Sequence, residues 1–147
     1  MNATAKALIL PTAIIALVLV TIAVLTGGVK VGTPAAQSLS GFGRYFAWAL
    51  FQEFGLQSFF TNRIFEVLKD AKKTAWLSGT LFAALHIPNP VLMPLTFAGG
   101  VIFSRIFIQH RNILPLAVSH AIIGSLASVA IPMSWHHALR VGPAYYW

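Results

Sequence analysis

Residues 7–26, ALILPTAIIALVLVTIAVLT, contain no charge and match the ~20 apolar residues that cross a bilayer core. Lys6 precedes this run, as a positive residue precedes the core of a signal peptide. The run is longer than the roughly 7–15 residues of such a core, and Val24 to Gly28 offers no small-x-small cleavage site. It therefore reads as a retained spanning helix, with Pro11 near its start, where proline is tolerated.

Four more apolar runs follow. Gly27 to Gly43 reads as a polar loop, and Phe46 to Phe60 as the second run, interrupted by Gln52, Glu53 and Gln57. Arg63 to Lys73 is the most charged segment and belongs in water or among headgroups. A third run covers Thr74 to Ile87 and is broken by Pro88-Asn89-Pro90, since proline disfavours helical geometry in the residue before it. The fourth covers Val91 to Ile108 and the fifth Ile113 to Ile131, separated by His110-Arg111-Asn112. The tail ends in Tyr145-Tyr146-Trp147, aromatics that favour the membrane–water interface.

Composition agrees. Hydrophobic residues make up 57% of the 147 and charged residues only 9%. Mean hydropathy is +0.77. So few charges cannot cover a soluble globule, and the same figures exclude disorder. The absence of cysteine excludes disulfides, thiolate chemistry and Cys-based zinc sites. A net charge of +7 points to loops facing anionic lipid, and not to nucleic acid, because basic residues do not cluster with exposed aromatics. The expected architecture is a single all-α domain over residues 1–147, a polytopic bundle of about five spans. No ten-residue alternation points to a β-barrel. Five spans would put Lys6, Arg63, Lys69, Lys72, Lys73, Arg105 and Arg111 on one side, against Lys30, Arg44 and Arg140. The positive-inside rule then places the N-terminus in the cytoplasm and the chain in the cytoplasmic membrane.

Polar residues inside these runs are expensive, at ~2.5–3.5 kcal/mol for a charge near mid-bilayer. Glu53 is the one acid within a run. Gln57 lies one turn later on the same face, and Gln52 lies about 100° away. His86 ends the third run and His120 lies in the fifth. Each alone is ordinarily explained as interhelical hydrogen bonding. At ~1.5 Å per residue, Glu53 lies roughly 12–15 Å deep, His86 about 18 Å and His120 about 10 Å, compatible with one cavity. There Glu53 would take the proton of an attacking water and a histidine would donate to the developing oxyanion. One carboxylate and two imidazoles would equally suit a divalent metal such as zinc, with Glu53, His86 and His120 as ligands. His110, His136 and His137 read as interfacial. Small residues at Gly79, Ala83, Ala98-Gly99-Gly100, Gly124 and Ser128 would let helix backbones approach.

These residues resemble the CAAX-processing and bacteriocin-processing endopeptidase family (CPBP, or Abi). Its three motifs are Glu-Glu-x-x-x-Arg, Phe-x-x-x-His and His-x-x-x-Asn/Asp. Here the first reads Gln52 to Gln57, the second Phe82 to His86 without departure, and the third His120 to Gly124. The resemblance covers about Ala47 to Ser128. It implies an intramembrane endopeptidase acting on a peptide or prenylated peptide that enters from the lipid. The expected catalytic set, from the polar groups above, is Glu53, His86 and His120, with Gln52, Gln57, Phe82, Asn89 and Gly124 lining the substrate cavity. The implied roles fall on Gln52 and His86 for activating water, and on His120 and Gly124 for the oxyanion. Glutamine cannot be a carboxylate base, so either Glu53 takes over, about 100° around the helix, or the peptidase chemistry is lost. The alternatives are a non-catalytic membrane binding or assembly protein on the same fold, or an enzyme modifying lipids or isoprenoids. No metal is required if catalysis rests on glutamate.

Overall fold

A computed structural model describes residues 2–27 and 39–147. Among the described residues every regular element is helical. Helix α1 spans Ala3–Thr26. The Asn2 side chain caps it by accepting from the Thr4 amide at 2.9 Å, and Gly27 ends it in the left-handed conformation at φ 64°. The helix begins earlier than the apolar run, so Pro11 lies inside it and not at its start. Many of its large side chains, Leu10, Leu17, Val24 and Leu25 among them, are exposed. Such an unbroken apolar surface is stable only against lipid.

Helix α2 spans Leu39–Glu53 and continues without a break through a π-helical segment, Phe54–Thr61, into α3, Asn62–Leu68. The expected loop at Gly27 to Gly43 falls largely on residues outside the described ones, while residues 39–43 are already helical. The charged segment is helical as far as Leu68, and the chain reverses at Lys69, φ 52°. Asp70 then caps α4, Ala71–Ala84, accepting from the amides of Lys72 and Lys73 at 2.8 and 2.9 Å. Helix α5 spans Leu92–His110 and α6 Ile113–Ala130, the latter capped by Asn112. A single turn, α7 at Met133–His136, opens the C-terminal tail.

Helices α4 and α5 pack along each other, and α1 and α2 both pack on α6. The α4–α5 contact brings two glycines together. A β-carbon on Gly100 would lie 2.8 Å from the Gly79 Cα, and one on Gly79 would lie 2.8 Å from the Phe97 carbonyl oxygen. Backbones this close exclude any larger residue. Two apolar cores fill the rest, one around Leu19, Ala23, Ala127 and Ile131 and one around Leu8, Phe103, Phe107 and Leu116.

Among the described residues three helices are long and apolar enough to cross a membrane by length and composition: α1, α5 and α6, with 24, 19 and 18 residues. The expected count of five is therefore met only in part. Helix α4 has 14 residues, about 21 Å at ~1.5 Å per residue, short of a ~30 Å core. The chain is an integral membrane protein built on these apolar helices.

Candidate active site

The π-helical segment organises the buried polar groups. Its i→i+5 turns are wider than α-helical ones, a local opening that recurs at functional sites. Glu53, Gln57 and Thr61, four residues apart, are all fully buried. The Gln57 amide donates to Glu53 Oε2 at 3.1 Å, and the Thr61 hydroxyl donates to Gln57 Oε1 at 3.1 Å. Thr61 Oγ1 also lies 2.9 Å from the Ser78 hydroxyl on α4 and 3.2 Å from the Ser104 hydroxyl on α5. Glu53 Oε1 meets His120 Nδ1 of α6 at 2.9 Å. One connected network thus ties four helical segments to a single imidazole, and both Glu53 oxygens are engaged in it.

His120 has another side. With His86, Phe82, Gln52 and Gly124 it lines a cavity of about 270 Å³ between α2, α4, α5 and α6. The rest of the wall is mostly apolar, including Ile15, Trp48, Leu92, Leu95 and Phe103. Phe82 stands edge-on to both imidazoles, with ring centroids 4.9 Å from His86 and 5.8 Å from His120. His86 Nδ1 lies 2.7 Å from the Phe82 carbonyl oxygen. A carbonyl only accepts, so Nδ1 carries the proton and Nε2 carries the lone pair.

Of the residues singled out from the sequence, Gln52, Phe82, His86, His120 and Gly124 share the cavity wall. Glu53 touches His120 from behind and does not line the cavity. Gln57 lies deeper still, between Glu53 and Thr61. Asn89 is also elsewhere. Its side-chain amide donates to the carbonyls of His136 at 2.8 Å and Arg140 at 3.0 Å, and its oxygen accepts from the amides of Val91 and Leu92. This buried clamp holds the tail against the α4–α5 connection, and the tail contributes Leu139 and Val141 to the cavity wall. His136, read as interfacial, is instead buried, and its ring accepts from the Leu139 amide. Burial holds the imidazole below its ordinary range.

Among the described residues no group of three or more His, Cys, Asp or Glu side chains is disposed to hold a metal ion. The donor set explains this. Both oxygens of Glu53 are engaged by His120 and Gln57, and His86 directs Nδ1 at a backbone carbonyl. A metal held by Glu53, His86 and His120 together does not fit this arrangement.

Among the wall residues that the sequence reading did not single out are two aromatics. Tyr45 and Trp48 precede Gln52 by seven and four residues, the spacing of one helical face, and all three line the cavity. That spacing was the available signal, hidden because aromatics are abundant throughout the run.

A search of curated proteins and a search of solved structures returned no match. A model of the family described as type II CAAX prenyl endopeptidase Rce1-like matches residues 34–126, more than half of the chain, with Gln52, Glu53, His86, His120 and Gly124 all inside the match. The chain belongs to the Rce1-like type II CAAX prenyl endopeptidase family.

Proposed function

We propose that this chain is an intramembrane endopeptidase that hydrolyses a prenylated peptide in the cavity between α2, α4, α5 and α6. The observation that carries the reading is that His86 and His120, from separate helices, line one cavity inside an apolar bundle with each Nδ1 already anchored. That anchoring leaves both Nε2 atoms for chemistry. His86 Nε2 takes a proton from water as the water oxygen bonds to the scissile carbonyl carbon. The carbonyl electron pair moves to oxygen, and His120 donates to that oxyanion. The proton held by His86 passes to the leaving nitrogen as the C–N bond breaks. The products are a carboxylic acid and an amine, with one water consumed.

In this scheme Glu53 acts through His120 and not on the water. It fixes the imidazole's orientation and stands as the counter-charge to the imidazolium that donates to the oxyanion, as a buried carboxylate does for a catalytic histidine elsewhere. Gln52, which has no basic carboxylate to offer, positions the water or the peptide by hydrogen bonding. The apolar wall receives the prenyl chain, each buried methylene contributing about 0.8 kcal/mol. The second apolar run, Phe46 to Phe60, and the short α4 also cross the bilayer in this reading, giving five crossings with the N-terminus in the cytoplasm.

The test is release of the C-terminal fragment from a farnesylated CAAX peptide by the purified protein in liposomes, followed by mass spectrometry. Wild type should release it, should favour the prenylated peptide over the bare one, and should lose about 10²–10⁴-fold in rate on His86→Ala. No release, or equal release by His86→Ala, sinks the reading. A second reading, a non-catalytic binder of prenylated ligands, is favoured by one observation: among the described residues no carboxylate lines the cavity. Binding of the farnesylated peptide without release of a fragment would establish it.

A further inference from the structure

Among the described residues, two that carry hydroxyls line the cavity, Thr96 and Tyr45. Thr96 donates to the Leu92 carbonyl of its own helix at 2.7 Å. Tyr45 Oη has no hydrogen-bond partner among the described residues. A phenolic O–H at a mostly apolar wall is open to a water or a ligand atom that enters the cavity. Its placement is specific. The Tyr45 ring stands edge-on to the His120 imidazole, centroids 6.4 Å apart and planes at 77°. Gly124 follows His120 by one turn of α6, and a β-carbon there would overlap the Tyr45 hydroxyl and lie 2.6 Å from its ring carbons. Only glycine at this position admits the phenol. The hydroxyl therefore occupies the space that a side chain at 124 would fill, on the same face of α6 as His120.

We propose that Tyr45 is a further catalytic residue: its O–H donates to the oxygen of the scissile carbonyl, forming with His120 a two-donor oxyanion site. This rests on the peptidase reading above. Two preorganised donors from different helices hold the developing charge without rearrangement, which is where such sites gain their rate. The tyrosine keeps its proton throughout; it donates a hydrogen bond and transfers nothing.

The test compares kcat and KM for the farnesylated peptide in wild type and Tyr45→Phe. The variant keeps the ring, its contact with His120 and its packing on Gly124. We expect kcat to fall about 10²-fold with KM changed less than about threefold, the signature of a donor acting in the transition state. A second pair guards against misfolding: Tyr45→Ala opens the space over Gly124, and adding Gly124→Asn returns an N–H donor there. The double variant should exceed Tyr45→Ala at least about tenfold. If wild type cleaves and Tyr45→Phe stays within threefold of it, the Tyr45 role is wrong and the peptidase reading stands. If wild type releases no fragment, both fall.

Discussion

Replacing Glu53 by glutamine separates the two jobs a buried carboxylate does in this bundle. Glu53 is fully buried and its oxygens meet His120 Nδ1 at 2.9 Å and Gln57 Nε2 at 3.1 Å. A glutamine fills the same space, and its oxygen can satisfy only one of these donors. If the oxygen faces Gln57, the new NH2 group faces His120 Nδ1 and forces that nitrogen to accept, which puts the proton on Nε2 but removes the counter-charge for an imidazolium. If the oxygen faces His120, the NH2 group opposes the Gln57 amide, and Gln57 must flip with Thr61 reversing its hydroxyl. Either way the charge-assisted bond, about 1.5–3 kcal/mol, is lost and with it the carboxylate that faces the donating imidazole. We predict a fall in kcat of about 10²–10⁴-fold, or about 3–5 kcal/mol in the barrier at 1.36 kcal/mol per tenfold. Folding should survive, because the glutamine removes a costly buried charge while keeping the shape. Glu53→Ala is the contrast: it leaves the His120 and Gln57 donors unpaired, at about 1–3 kcal/mol each, and should lower the unfolding temperature in detergent. Hydrolysis of the farnesylated peptide reads the first effect and thermal unfolding the second. Activity of Glu53→Gln within threefold of wild type would refute the coupling of Glu53 to His120.

Other parts of the molecule give independent tests. Asn89→Ala removes four hydrogen bonds, two of which join the tail to the α4–α5 connection; at about 1 kcal/mol per bond it should free the tail and speed trypsin cleavage after Arg140. Unchanged protection there would show that the tail is held by something else. Gly100→Ala places a β-carbon 2.8 Å from the Gly79 Cα and 3.3 Å from the Phe82 Cβ, and should destabilise by about 1–3 kcal/mol; an unaltered thermal midpoint would contradict the close α4–α5 contact. Asp70 caps α4 outside the apolar spans, and the Lys73 amide, followed by Lys72, holds its carboxyl below the ordinary 3.8. A depressed folded pKa contributes stability above the unfolded value that is lost as pH falls through the folded one. The stability gap between wild type and Asp70→Ala should therefore shrink on acidification below that range; a gap that widens would refute the cap.

Much of the architecture could be read from residue types because lipid imposes so few solutions. Uninterrupted apolar runs must be helices, and Asp70, Asn112 and Gly27 mark helix ends by chemistry that acts over three or four residues. The meeting of α4 and α5 is written in Gly79 and Gly100 for the same reason. What resisted reading depends on rotation and on distant neighbours. Gln52 and Glu53 are adjacent, and about 100° of helix decides that Gln52 meets the cavity while Glu53 meets the network behind His120. Only the packing of α2 on α6 sets that angle. The span count is met only in part because the helix that carries the third run, Ala71–Ala84, has 14 residues and is short of a ~30 Å core. Asn89 was expected on the substrate cavity, yet its side-chain amide bonds carbonyls 47 and 51 residues later. Tyr45 was invisible because its meaning comes from the bare α-carbon of Gly124, on a helix that no local pattern connects to it.

A double-mutant cycle between Glu53→Gln and His120→Gln on the rate of fragment release tests the central claim most directly. If Glu53 works only through His120, the double variant should be no slower than His120→Gln alone, since residues acting as one unit are not additive. Losses that multiply would mean that Glu53 reaches the reaction by a separate route.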